Sequence, residues 1–141
     1  MKDKILYQLR IDFEEKAAIE LLNSKSINSC KQLFKILKEE KANLICQYEA
    51  FSLFVKECEE NNLTSTPLYK WTKDTIENEA KKIKYMKSFT IYVEDKQLYE
   101  KNIANRLEKK IINLKCNCIL KLNKYDSNPK NNPQPPKKYF N

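Results

Sequence analysis

The chain of 141 residues contains no histidine and no glycine. Without histidine there is no Ser-His-Asp or Cys-His nucleophilic site, no imidazole base and no His-ligated metal. Without glycine there is no P-loop and no dinucleotide-binding turn, because both need a backbone free of Cβ where phosphate approaches. A carboxylate, lysine or thiol enzyme stays open, but no spacing supports one. The expectation is therefore a protein that is not an enzyme and holds no cofactor. Long apolar runs are missing too, since none approaches the roughly 18 residues that span a bilayer. The first residues, MKDKILYQLRIDF, are charged throughout and lack a signal-peptide core. A cytoplasmic chain with no membrane partner is expected. Left-handed turns must use another residue, and asparagine is the usual substitute. LLNS, KAN and EENN place asparagine at the ends of apolar-periodic segments, where helix C-caps belong.

Cysteine is present in an odd number, five, with no tight framework. These read as reduced thiols. The stretch KCNC supplies two thiolates one residue apart, half of a four-cysteine site at best. Cys30, Cys46 and Cys58 fall in helical segments, with Cys30 and Cys58 on apolar stripes. Free cysteine is among the most buried residue types, so core filling is expected and no metal.

The net charge of +8 is unevenly spread. Residues 1–62 carry ten Lys/Arg and eleven Asp/Glu, and residues 63–141 carry seventeen and eight. Such asymmetry points to a polyanion partner for the second half, or else to a solvated surface in a lysine- and asparagine-rich chain.

Periodicity predicts an α+β domain over 1–123, with about five helices and a small, mainly antiparallel sheet. KILYQLRID alternates, with Ile5, Tyr7, Leu9 and Ile11 on one face of a strand. FEEKAAIELLNS is a short helix. A second helix starts near Ser29 with a Ser29–Gln32 capping box, and a third carries Leu44, Tyr48, Phe51, Val55 and Cys58. Thr66-Pro67 opens a helical stretch reaching Ser88, with a break near Asp74. FTIYV and QLYE flank EDK as a hairpin, with Asp95 at φ > 0. KNIANRLEKKIIN is helical, and LKCNCILKLN alternates as a strand with Leu114, Cys116, Cys118, Leu120 and Leu122 on one face. Residues 124–141, rich in Pro, Asn and Lys, are a flexible tail.

Residues 29–60 have the spacing of a helix-turn-helix. The words KQLFKILKEEKANLICQYEAFSLFVKE resemble small helix-turn-helix accessory proteins of conjugative plasmids. Those often show KQ in the first helix and a SYxxFxRYVK-like second helix, matched here by Gln47, Tyr48, Phe51, Phe54, Val55 and Lys56. The resemblance implies DNA binding and a plasmid, phage or other mobile-element setting. The second helix, however, carries Glu49, Glu57, Glu59 and Glu60 against Lys56 alone. Four glutamates repel a phosphate backbone, so two packed helices forming an αα-hairpin are favoured over a DNA reader.

The better polyanion surface lies downstream. On a helical wheel, Tyr69, Thr72, Ile76, Ala80 and Ile83 form the expected buried stripe. Trp71, Tyr85, Lys70, Lys81 and Lys82 fall on the far side. Lysines among exposed aromatics suit nucleic acid, since charge tracks phosphate and a ring can stack on a base. The candidate contacts are Lys70, Trp71, Lys81, Lys82, Lys84, Tyr85, Lys87, Arg106, Lys109 and Lys110, with DNA favoured over RNA. The competing expectation is an adaptor or inhibitor that docks a protein partner through 29–60.

Overall fold

The computed structural model describes residues 5–127. Its elements run β1 (Tyr7–Phe13), α1 (Glu15–Ser24), a 3-10 turn (Asn28–Cys30), α2 (Lys31–Glu39), β2 (Ala42–Cys46), α3 (Gln47–Glu60), α4 (Pro67–Glu77), α5 (Glu79–Met86), β3 (Ser88–Val93), α6 (Lys101–Leu114) and β4 (Ile119–Asp126). The class is α+β as expected, with six α-helices among the described residues. The sheet has four strands in the order β2-β3-β1-β4, every neighbouring pair antiparallel. No helix among the described residues is long and apolar enough to cross a membrane.

β1 is an interior strand whose two faces differ. Leu9, Ile11 and Phe13 point to one side and are fully buried. They meet Phe89 and Ile91 of β3, and Ala17, Ala18 and Leu21 of α1. Leu33 and Leu37 of α2, and Ala104, Leu107 and Ile111 of α6, complete this core. Phe13 and Phe89 touch edge to face at 5.6 Å. The alternate residues Gln8, Arg10 and Asp12 point the other way. The register sets Arg10 opposite Thr90 and Asp12 opposite Ser88, so this second face is polar. Gln47, the first residue of α3, donates from Nε2 to Ser88 Oγ at 3.1 Å, which places α3 over the polar face.

Several local expectations change. KAN does not end a helix into a turn: Ala42–Cys46 is strand β2, with Leu44 opposite Ile91. Five residues are too few for periodicity to separate strand from turn, and the pairing with β3 decides. The two helices of 29–60 are thus separated by a strand. The Ser29–Gln32 box does not form either, since Cys30 is the N-cap of α2 and makes no side-chain cap bond. The long helix breaks at Asn78, not Asp74. The Asn78 side chain accepts from Lys81 N at 3.1 Å and starts α5, as N-cap asparagine does. Thr66 caps α4 ahead of Pro67 as expected, accepting from Tyr69 N.

β4 starts at Ile119, after Cys116 and Cys118, and continues past residue 123 to Asp126, where it pairs with Tyr7. A register shift between Asp12 and Phe13 turns Leu120 out to 68 % exposure, while Ile119 and Leu122 pack on the core. Residues 128–141, most of the expected tail, lie outside the described residues.

The hairpin turn after β3 forms, with Glu94 and Asp95 both at positive φ. Its second arm does not pair along β3. Beyond the Val93–Lys96 bridge the chain leaves, and Tyr99 bridges Tyr7 of β1 instead. The Tyr99 hydroxyl then wedges into the β1–β3 ladder. It accepts from Leu9 N at 2.8 Å and donates to Ile91 O at 2.9 Å, a bridge between cross-strand partners. Burial pushes its pKa up to about 12, against the opposing pull of the Leu9 N–H. The hydroxyl therefore keeps its proton at any ordinary pH.

Among the described residues, half of the left-handed positions fall to lysine. Lys25, Lys41 and Lys115 have φ of 60°, 55° and 51°, and of the described asparagines only Asn62 joins them. Lys25 is the C-cap of α1, where its N–H reaches Leu21 O at 2.8 Å. A Cβ in this conformation costs about 1–2 kcal/mol, and glycine is the residue that avoids the cost.

Two stability tests follow from these observations. Tyr99→Phe keeps the ring but leaves Leu9 N–H and Ile91 C=O without their bridging partner, and should cost about 1–3 kcal/mol in urea unfolding. A change below a few tenths would show that the hydroxyl does not bridge. Lys25→Gly should raise stability by about 0.5–1 kcal/mol, the relief of αL strain less the entropy of glycine. A loss instead would mean that the α1 terminus does not hold this conformation.

Candidate functional site

The polar sheet face and helices α3, α4 and α5 enclose a cleft of about 420 Å³. Its walls are built from short periodic patterns. Gln47, Phe51 and Phe54 lie at i, i+4 and i+7 on α3, one face of that helix. Trp71, Thr72 and Thr75 come from α4. Tyr85 comes from α5 and meets Phe51 edge to face at 5.2 Å. Arg10 and Tyr92 form the floor. The Thr72 and Thr75 hydroxyls donate back to Leu68 O and Trp71 O, both at 2.8 Å, so neither asks for an outside partner.

Two polar groups in the cleft do ask for one. Gln47 is 4 % exposed, and its Oε1 has no hydrogen-bond partner while Nε2 is bound to Ser88. A buried amide oxygen left so costs about 1–3 kcal/mol until a donor reaches it. Arg10 donates from Nε to Gln8 Oε1 at 2.6 Å and lies 4.7 Å over the Tyr125 ring. Among the described residues it pairs with no carboxylate. Its guanidinium is thus positioned by neutral groups and keeps its full charge for an anion.

The sequence-derived contacts divide into two groups. Lys70 and Trp71 on α4, Lys81, Lys82, Lys84 and Tyr85 on α5, and Lys87 just after it belong to the helical layer that forms the cleft, and of these Trp71 and Tyr85 line it. Lys82 Nζ sits 5.6 Å from the Tyr48 ring and Lys84 Nζ 5.3 Å from that of Tyr85. None of these five lysines has a carboxylate partner among the described residues. Arg106, Lys109 and Lys110 instead ride on α6, which covers the opposite face of the sheet. Arg106 and Lys110 grip Glu40 at 2.7 and 2.8 Å, while Lys109 is exposed. These three are not brought to the cleft.

The expected helical wheel also changes. Thr72 and Thr75 are the buried residues of α4, Ala80 is exposed, and Ile83 is 53 % exposed. The break at Asn78 rephases α5, so Tyr85 turns inward. Trp71 is half-buried in the cleft wall and stands clear of neither solvent nor protein. On α3, Glu59 accepts from Tyr69 Oη at 2.6 Å and from Lys73 Nζ at 3.0 Å, which ties α4 to α3 and offsets one of the four glutamates. Sequence reasoning missed Arg10, Gln47 as a polar group, and Tyr92. The signal for Arg10 was its outward position in an alternating strand. Nothing local marked the other two.

No protein-family model matches the chain, and no curated protein or solved structure matches it at a significant level.

The Glu40 cluster makes a pH prediction. The Arg106 hydrogen bonds first, and Lys110 after them, draw the Glu40 carboxyl from the ordinary 4.5 to about 2, against opposing burial. A depressed folded-state pKa stabilises the fold above the unfolded value. That stability is lost as pH falls from about 4.5 towards about 2. With both partners half exposed, its size is about 1–2 kcal/mol. Glu40→Gln should cost that much at pH 7 and almost nothing near pH 2, read from urea midpoints. An equal cost at both pH values would mean that the ion cluster is not its source.

Proposed function

We propose that this protein is a small non-enzymatic accessory protein that binds nucleic acid, with an unstacked base in the Trp71 cleft and the backbone along α4 and α5. The observation that supports it most is an aromatic cleft that holds an arginine, next to helices that carry five lysines, all six cations without a carboxylate partner among the described residues. Aromatic walls at Phe51, Phe54, Trp71, Tyr85 and Tyr92 suit a planar base, since stacking contributes about 1–3 kcal/mol per base and tolerates any sequence. Lys70, Lys81, Lys82, Lys84 and Lys87 supply charge without first breaking internal ion pairs, so each phosphate contact releases counterions at full effect. A base reaches the cleft only when unpaired, which favours single strands or opened duplex. DNA is favoured over RNA on the resemblance of 29–60 to plasmid accessory proteins, and a mobile-element setting rests on the same resemblance.

The test is a salt titration of binding to a labelled single-stranded oligonucleotide. Lys81→Glu with Lys82→Glu should weaken binding to every sequence and lower the log–log salt slope by about 0.7 per lysine. Trp71→Ala should cost about 1–3 kcal/mol of binding and leave the slope unchanged. Thermal melting of each variant separates binding loss from unfolding. Silent lysine reversals, together with a Trp71→Ala variant that simply unfolds, would sink the proposal and favour a protein partner on this surface.

A further inference from the structure

Three sulfurs gather on the core side of the sheet, away from the aromatic cleft. Cys30 stands at the start of α2, and Cys116 and Cys118 lie on the turn between α6 and β4. Cys30 and Cys116 are joined as a disulfide across 86 residues, which corrects the expectation of five reduced thiols. Cys118 keeps a free, buried thiol, and its Sγ lies 2.9 Å from that of Cys116. The three Sγ atoms all fall within 4.8 Å of one another.

We propose that, once the Cys30–Cys116 bond is reduced, Cys30, Cys116 and Cys118 form a site for one thiophilic d10 cation, of the zinc or copper(I) class. A disulfide alone needs two sulfurs. The third is held in place by its backbone: Cys118 O accepts from Glu14 N at 2.9 Å, and Ile119 N reaches Cys116 O at 3.2 Å. The turn is thus anchored to the helix-α1 approach whether or not the sulfurs are bonded. Zinc–sulfur bonds of about 2.3 Å set tetrahedral sulfurs roughly 3.8 Å apart, within the spread seen here.

The surroundings select the ion. The cluster lines a hollow of about 450 Å³ whose other walls are Asn28, Ser29, Lys31, Gln32, Leu114, Lys115 and Asn117. Among the described residues no carboxylate lines it, which disfavours calcium and magnesium. Three thiolates around a divalent ion leave a net charge of −1, which Lys31 and Lys115 oppose, while Glu14 and Glu20 act on Cys118 with the other sign. The amide end of α2, beginning beside Cys30, favours the thiolate further. The open hollow leaves a fourth position for water or an amide oxygen. Reduction balances with a dithiol: the disulfide takes two hydrogens to give Cys30 and Cys116 thiols, and the reductant leaves as its own disulfide. The cation then displaces the thiol protons as it binds.

The full chain, reduced with a dithiol and freed of reductant, is titrated with zinc against a chromophoric chelator. One equivalent should bind. Mass spectrometry after alkylation should show Cys30, Cys116 and Cys118 protected together, with Cys46 and Cys58 unaffected by zinc. Cys118→Ser should weaken zinc by at least roughly 100-fold, since even outer-shell changes cost about 10–100-fold, while Cys46→Ser should match the parent. Absence of a saturable equivalent in the parent chain, protection that omits any of the three, or a Cys118→Ser variant that binds as before would each overturn the site. The parent titration and its protection pattern stand even where a variant fails to fold.

Discussion

The two-faced character of β1 is the constraint from which the rest of the molecule follows. Leu9, Ile11 and Phe13 on one side are fully buried, and three helices close over them. Burying such side chains contributes about 1.5–3 kcal/mol each, so this side becomes the core. Gln8, Arg10 and Asp12 on the other side face Ser88 and Thr90 across the ladder. That side cannot be covered dry, because every polar group removed from water needs a partner. Helices α3 to α5 therefore arch over it on aromatic side chains and leave a cleft, where Arg10 and Gln47 remain incompletely satisfied. Core and candidate site are two faces of one alternation.

A chain without glycine meets its turns differently from most. Among the described residues positive φ falls to Lys25, Lys41, Lys115, Glu94 and Asp95, with Asn62 the one asparagine. Each costs conformational energy that the surrounding packing must exceed. The same lysine-rich composition shapes the electrostatics. The basic excess of the second half does not converge on one surface. The sheet divides it, with an internally paired cluster around Glu40 on one face and, on the other, Lys70, Lys81, Lys82 and Lys84 without a carboxylate partner among the described residues. A cation already bound to Glu40 offers less to a phosphate than one bound only to water, so the division also ranks the two groups as binding surfaces.

The Cys30–Cys116 link and the adjacent Cys118 tie the start of α2 to the α6–β4 turn. In a domain of this size such a tie limits how far α2 can part from α6. The cluster sits on the core side of the sheet, away from the aromatic cleft. A ligand event at one would reach the other only through β1 and its neighbours.

Much of the local structure was legible from residue order alone. Alternation marked β1, 3.6-residue periodicity marked α1 and α6, and Thr66-Pro67 marked the start of α4. Those signals are carried within a few residues and survive any packing. The α+β class followed from their sum. Tertiary structure decided what depended on distant partners. Ala42–Cys46 became a strand because β3 offers it an edge. Tyr99 left its own hairpin because β1 and β3 had unbridged backbone groups at Leu9 and Ile91. The break expected near Asp74 fell instead at Asn78, which caps α5 where that helix packs against α3 and β3. Leu120 turned outward at a shift in register that alternation cannot foresee. Arg10 as an anion-facing group, the split of the lysines, and the meeting of three sulfurs across 86 residues are all properties of pairs. A sequence read locally specifies what each residue prefers, whereas which preferences are met together is set by chain segments that meet only when the sheet closes.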